Sequence, residues 1–116
     1  MIDARDLRIF VCAAPTNMTY SFDSLMGRAE EIFDQDPTSG HLFVFFNRVR
    51  DRVKILIWDQ DGFCIWYKRL EVGAFQMLTT TNDQGGVELE YWQLTHLLDG
   101  LDLKTGRPRQ RYRRVS

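Results

Sequence analysis

From Gly40 to Phe75 the chain reads GHLFVFFNRVRDRVKILIWDQDGFCIWYKRLEVGAF, three apolar runs separated by polar turn residues. The first run, His41 to Phe46, lies between Pro37-Thr38-Ser39-Gly40 and Asn47 to Asp51, and its Phe, Val and Leu content suits a pleated, largely buried strand. In the second, Arg52 to Trp58, Val53, Ile55 and Ile57 alternate with Lys54, Leu56 and Trp58, so both faces of the strand are partly apolar. Asp59-Gln60-Asp61-Gly62 supplies turn chemistry, because Asx side chains and glycine tolerate turn backbones. The third run, Phe63 to Leu70, then returns antiparallel. A three-stranded meander is the expected centre of the fold.

The flanks complete an α+β domain. Leu7 to Ala14 reads as a short strand ended by Pro15. Phe22, Leu25, Met26, Ala29, Ile32 and Phe33 recur at helical spacing before Asp36-Pro37. Val72 to Leu78 is a further candidate strand, Thr79 to Gly86 a mobile hairpin loop, and Val87 to Leu89 another short strand. Tyr91, Leu94, Leu97 and Leu98 mark a second helix that Gly100 can end. The expectation is one domain over residues 1–103: an antiparallel sheet of about four or five strands, a helix after the first strand and a C-terminal helix. Residues 104–116 are expected as a disordered basic tail. With 116 residues, 44% of them hydrophobic, the chain has enough material for one core and too little for two. Cys12 and Cys64 lack metal-ligand spacing and are expected as reduced, partly buried thiols. No apolar run approaches the ~18 residues of a membrane span, and no signal peptide opens the chain, so a cytoplasmic location is expected; no cofactor or metal is implied.

The net charge of −1 conceals an asymmetry. Lys104 to Ser116 holds six basic residues, Lys104, Arg107, Arg109, Arg111, Arg113 and Arg114, and no acid; the other residues hold nine basic and sixteen acidic groups and sum to −7. Such a tail attracts an anionic polymer by counterion release. Within it Gly106-Arg107-Pro108-Arg109 is similar to the core of an AT-hook, in which arginines line a narrow minor groove, although Thr105 stands where arginine is usual. A second basic series, Arg48, Arg50, Arg52 and Lys54, is spaced by two. If extended throughout, it forms a phosphate-contacting ridge completed by Lys68 and Arg69; otherwise these are solvated strand ends paired with Asp51, Asp59 and Glu71.

Aromatic residues crowd the meander. Either both sheet faces are covered, or Phe43, Phe45, Trp58, Trp66 and Tyr67 present a surface to a partner protein or to stacked bases. For catalysis, Asp23, Asp36, Asp59, Asp61 and Glu71 are the acidic candidates for a two-metal nuclease, and His41 with His96 for an acid–base pair. Asp36, Asp59 and Asp61 have ordinary roles in stops and turns, and no phosphate loop, nucleophile elbow or zinc spacing is present. No catalytic residue is assigned.

Asp36-Pro37-Thr38-Ser39-Gly40-His41-Leu42-Phe43-Val44-Phe45, Arg50-Asp51-Arg52-Val53-Lys54-Ile55-Leu56, Trp58-Asp59, Gly62 and Lys68-Arg69-Leu70-Glu71-Val72-Gly73-Ala74-Phe75 together resemble the TnpB accessory family of bacterial insertion-sequence sixty-six transposons. Pro15-Thr16-Asn17-Met18 and Ser21-Phe22-Asp23-Ser24-Leu25 are similar to that family's N-terminal segment. Departures are local: Asn17 replaces an acid, Thr19-Tyr20 a basic pair, and Val49 interrupts an arginine run. The resemblance implies a non-catalytic accessory role in transposition, beside a separate transposase and a second small DNA-binding protein. The alternatives are an adaptor that binds proteins without touching DNA and, further off, a small metal-dependent nuclease.

Overall fold

The computed structural model describes residues 7–79 and 82–114. In chain order it contains β1 (Ile9–Cys12), α1 (Phe22–Phe33), a 3-10 turn (Pro37–Ser39), β2 (Leu42–Phe46), β3 (Arg52–Asp59), β4 (Gly62–Arg69), β5 (Gly86–Leu89) and α2 (Tyr91–Asp99). The strands form one sheet in the order β4-β3-β2-β1-β5. The β2-β3-β4 meander is as expected, with Phe43 opposite Leu56 and Ile55 opposite Trp66. One pairing departs from the antiparallel expectation: β1 runs parallel to β2. The connection between them carries α1, a crossover long enough to bring the chain back in the same direction.

Each element follows from its residues. Leu25, Ala29, Ile32 and Phe33 are the buried stripe of α1. That helix ends where Asp34 takes a left-handed conformation and its N–H bonds the Glu30 carbonyl. The stop therefore precedes Asp36, whose carboxylate instead starts the 3-10 turn by accepting the Thr38 N–H at 2.9 Å and hydroxyl at 2.8 Å. In α2, Glu90 and Gln93 form a reciprocal capping box, and Gly100 closes the helix at φ 83.

The core has two layers. On one sheet face α1 covers Phe10, Cys12, Phe43, Phe45 and Leu56; on the other, Leu94 and Leu97 of α2 meet Ile9, Val11, Val44, Phe46, Val53 and Ile55. Both faces are thus packed, and Phe43 and Phe45 are fully buried. Full burial of one such side chain contributes about 1.5–3 kcal/mol.

Two expected segments differ. Residues 72–78 form no strand: Gly73 sits at φ 88, and the carbonyls of Ala74, Phe75 and Gln76 accept from arginine side chains rather than from a strand. Of the loop expected over Thr79 to Gly86, Thr80 and Thr81 lie outside the described residues. Asn82 ties the rest, accepting the Gly86 N–H and donating to the Ile32 carbonyl at 3.2 Å.

Candidate nucleic-acid interface

The basic residues named from the sequence separate into two sets. Arg50 belongs to the interior. It follows the Asn47 turn at φ 61, so the extended run needed for a ridge is broken there. Its guanidinium lies 4.4 Å from the Phe46 ring and donates to the Phe75 carbonyl at 3.3 Å and the Gln76 carbonyl at 2.8 Å. Lys54 is also buried, and its ammonium donates to the carbonyls of Met18 at 2.7 Å and Tyr20 at 2.6 Å, with the Tyr67 ring beside it. These two cations hold backbone that no strand satisfies. They do not share a surface with Arg48.

The outward set gathers at one corner of the sheet. Arg48 is exposed in the turn before β3; Arg52, half-buried, opens β3 and donates to the Tyr67 hydroxyl at 3.2 Å. Arg52 lies directly opposite Arg69; Lys68, opposite Val53, stands at the same strand end but projects from the other face of the sheet. Like charges at opposed cross-strand positions repel, and among the described residues only Arg69 has a carboxylate, Glu71, at 2.8 Å. That carboxylate raises the Arg69 pKa, chiefly through its hydrogen bond.

Next to this corner an open cleft of about 460 Å³ is lined by Pro15, Thr16, Asn17, Met18, Asn47, Arg48, Val49 and Arg52. Among the described residues no carboxylate lines it. Asp51 is turned aside, accepting from the Asn47 amide at 2.6 Å. Arg28, which the sequence reading passed over, fixes the wall from behind: it donates to the Thr16 hydroxyl at 2.9 Å and the Pro15 carbonyl at 3.1 Å. Its position on the buried edge of α1, four residues before Ile32, was the signal available.

The C-terminal arginines also divide. After α2 the chain makes a tight hairpin in which Asp102 accepts the Lys104 and Thr105 N–H groups, Gly106 stands at φ 71, and Leu101 bridges Pro108. Those N–H bonds hold the Asp102 carboxyl below the usual carboxylate range. Gly106-Arg107-Pro108 is thus a turn, not an extended hook. Beyond it Arg109 and Arg111 point at the Ala74 carbonyl, at 3.4 and 3.3 Å, and Arg111 lies 5.3 Å from the Phe75 ring. Where a disordered tail was expected from Lys104, the chain packs on the body as far as Arg111, because loop 72–78 offers carbonyls that need donors. Burial and then the neighbouring charge of Arg109 lower the pKa of both Arg50 and Arg111. Lys104, Arg107, Arg113 and Arg114 remain exposed.

Of the aromatic candidates, Phe43 and Phe45 are excluded from any surface by α1. Trp58 is half-buried against Phe63, whose ring centre lies 5.0 Å away. Trp66 and Tyr67 on β4 are each 47% exposed. Cys12 is buried, but Cys64 lies exposed on β4. The two histidines have separate structural neighbours: His41 accepts the Arg8 N–H at 3.0 Å, and His96 packs edge-on to Trp92.

The family profile described as IS66 Orf2 like protein matches residues 7–108, from β1 through the hairpin after α2. The chain belongs to the IS66 Orf2-like family. Its relatives include the uncharacterized protein y4hO of Sinorhizobium fredii, 32% identical over 98 residues, 84% of each chain. The uncharacterized protein y4jC of the same organism is 29% identical over 99 residues, covering 85% of this chain and 83% of its own. No solved structure matches. The IS66 Orf2-like assignment places the protein in a transposition-associated accessory family, and the match spans the cleft, the cationic corner and the hairpin alike. Among the described residues no helix is long and apolar enough to cross a membrane.

Proposed function

We propose that this protein is a non-catalytic accessory factor of transposition that contacts DNA phosphates through the corner formed by Arg48, Arg52, Lys68 and Arg69. The observation that supports this reading is the opposed Arg52–Arg69 pair beside a cleft whose lining, among the described residues, holds no carboxylate. Two guanidiniums facing each other across strands weaken the sheet in isolation, and a phosphate between or beside them turns that repulsion into attraction. The exposed Lys104, Arg107, Arg113 and Arg114 extend the positive surface and contact phosphate without reading sequence. The acidic remainder of the body is left for the transposase or the second small protein of the element.

The test is fluorescence anisotropy of the full chain against labelled duplexes from the element end and of unrelated sequence, beside an Arg48→Gln/Arg52→Gln variant. The double variant is expected to lose about tenfold or more in affinity at low salt, with unchanged folding by circular dichroism. Equal binding by both proteins would overturn the assignment of the corner. Absence of binding to every duplex would favour the second reading, a protein adaptor, which is supported by the half-exposed Trp66 and Tyr67.

A further inference from the structure

We propose that β4 is the interface of a homodimer, in which two copies of this chain pair antiparallel along their β4 edges about a two-fold axis at Ile65. β4 ends the sheet, with β3 as its one strand neighbour among the described residues. It is eight residues long, its register with β3 is unbroken from Gly62 to Arg69, and it contains no proline. Protected edges are commonly short, bulged, or interrupted by proline or inward charge. The opposite edge, β5, has four residues and a charged Glu88 tied to Arg8. β4 carries its two cations only at its last positions and exposes Cys64, Trp66 and Tyr67 before them.

The hydrogen-bond phase of the edge follows from the hairpin. A two-residue link makes Asp59 and Gly62 a mutually hydrogen-bonded pair. Bonding then alternates, so Gly62, Cys64, Trp66 and Lys68 bond β3, while Phe63, Ile65, Tyr67 and Arg69 direct their N–H and C=O groups outward. The Leu70 N–H, bonded to the Asp51 carbonyl at 2.7 Å, continues the same phase.

Charge selects the occupant and the register. β4 begins beside the acids Asp59 and Asp61 and ends in Lys68-Arg69, so an antiparallel copy brings unlike ends together. Centred on Ile65, Phe63 meets Tyr67, Trp66 lies beside Cys64, and Arg69 stands opposite Asp61 of the second copy. Shifting the axis to Trp66 sets Arg69 against Phe63 and loses both ion pairs. The Ile65 register covers the two half-exposed aromatics with apolar neighbours and joins the two five-stranded sheets into one. It does not depend on DNA binding, and in the dimer Arg69 faces Asp61 of the second copy while Arg48 and Arg52 stay turned to the cleft.

The test is sedimentation velocity on the full chain over a concentration series, with Asp61→Arg, Arg69→Asp and the double exchange. The wild type is expected to sediment as a dimer at about 100 µM. Each single variant, which sets like charges opposite one another twice per dimer, is expected to raise the dissociation constant about tenfold or more; the double exchange restores it. If Arg69→Asp misfolds beside Glu71, Asp61→Arg in the exposed turn still reads the contact. A wild type at the mass of one chain overturns the dimer. A dimer indifferent to Asp61→Arg, or a double exchange as weak as the singles, overturns this edge and register.

Discussion

At Arg50 a left-handed backbone, φ 61, is held against a steric cost of about 1–2 kcal/mol. The side chain offsets it by donating to two loop carbonyls and stacking on Phe46. Arg50→Leu is therefore expected to destabilise the fold by about 2–4 kcal/mol in urea unfolding, whereas Arg48→Gln, two residues earlier and exposed, stays within about 0.5 kcal/mol. Equal losses would show that Arg50 is not an anchor. His41 makes a pH-dependent contribution. Burial, followed by the Arg8 charge, lowers its folded pKa below the usual ~6.5. The unfolded chain thus takes up its proton first as pH falls, and stability present above pH 6.5 declines below it. Asp36, Glu88 and Asp102, all held below the carboxylate range, add losses in more acid solution. The melting temperature is expected to fall from pH 7 to 5 in the wild type and to fall less in His41→Gln, while both decline alike below pH 4. Parallel curves throughout would remove His41 from the account.

Among the elements, the irregular loop 72–78 and the segment after α2 depend on each other. A side-chain carbon on Gly73, already at φ 88, would run into the Gln110 carbonyl. Gly73→Ala is expected to cost about 1–3 kcal/mol. Gly27→Ala, in α1 with open space around it, is expected to stabilise by about 0.5–1 kcal/mol. Thermal melts of the two variants moving in the same direction would sink this account of the loop. The same pair of segments marks the limit of what was legible in the sequence. The meander, α1 and α2 announce themselves because their apolar residues repeat at the period of the element, and α1 spans its apolar pattern, Phe22 to Phe33, although Asp34 rather than Asp36-Pro37 stops it. The parallel seat of β1 depends on where the α1 crossover returns the chain, which no local pattern records. Val72 to Leu78 has strand-like composition, but its carbonyls are claimed by arginines 25 or more residues away in sequence. The candidate site was half legible for the same reason. Spacing by two marked Arg48, Arg50, Arg52 and Lys54 as a set, but the left-handed turn at Arg50 and the carbonyls of Met18 and Tyr20 decided which of them reach solvent.

For the whole molecule, the salt dependence of DNA binding tests how the charge is divided. Six free tail cations would give a slope of log affinity against log salt near −5 from the tail alone. With Arg109 and Arg111 turned onto loop 72–78, four remain to meet phosphate: Lys104, Arg107, Arg113 and Arg114. Replacing those four by glutamine is expected to flatten the slope by about 3–4 and leave the melting temperature unchanged. Replacing Arg109 and Arg111 instead is expected to lower the melting temperature and leave the slope nearly intact. Ending the chain at Leu103 would merge the two effects, since it removes phosphate contacts and the donors of loop 72–78 together. Titrations across a salt series, run beside thermal melts of the same preparations, separate them. A large slope change from the Arg109/Arg111 variant without loss of stability would mean that these arginines leave the body to reach DNA. The folded chain would then end at the hairpin of residues 101–108, not at Arg111.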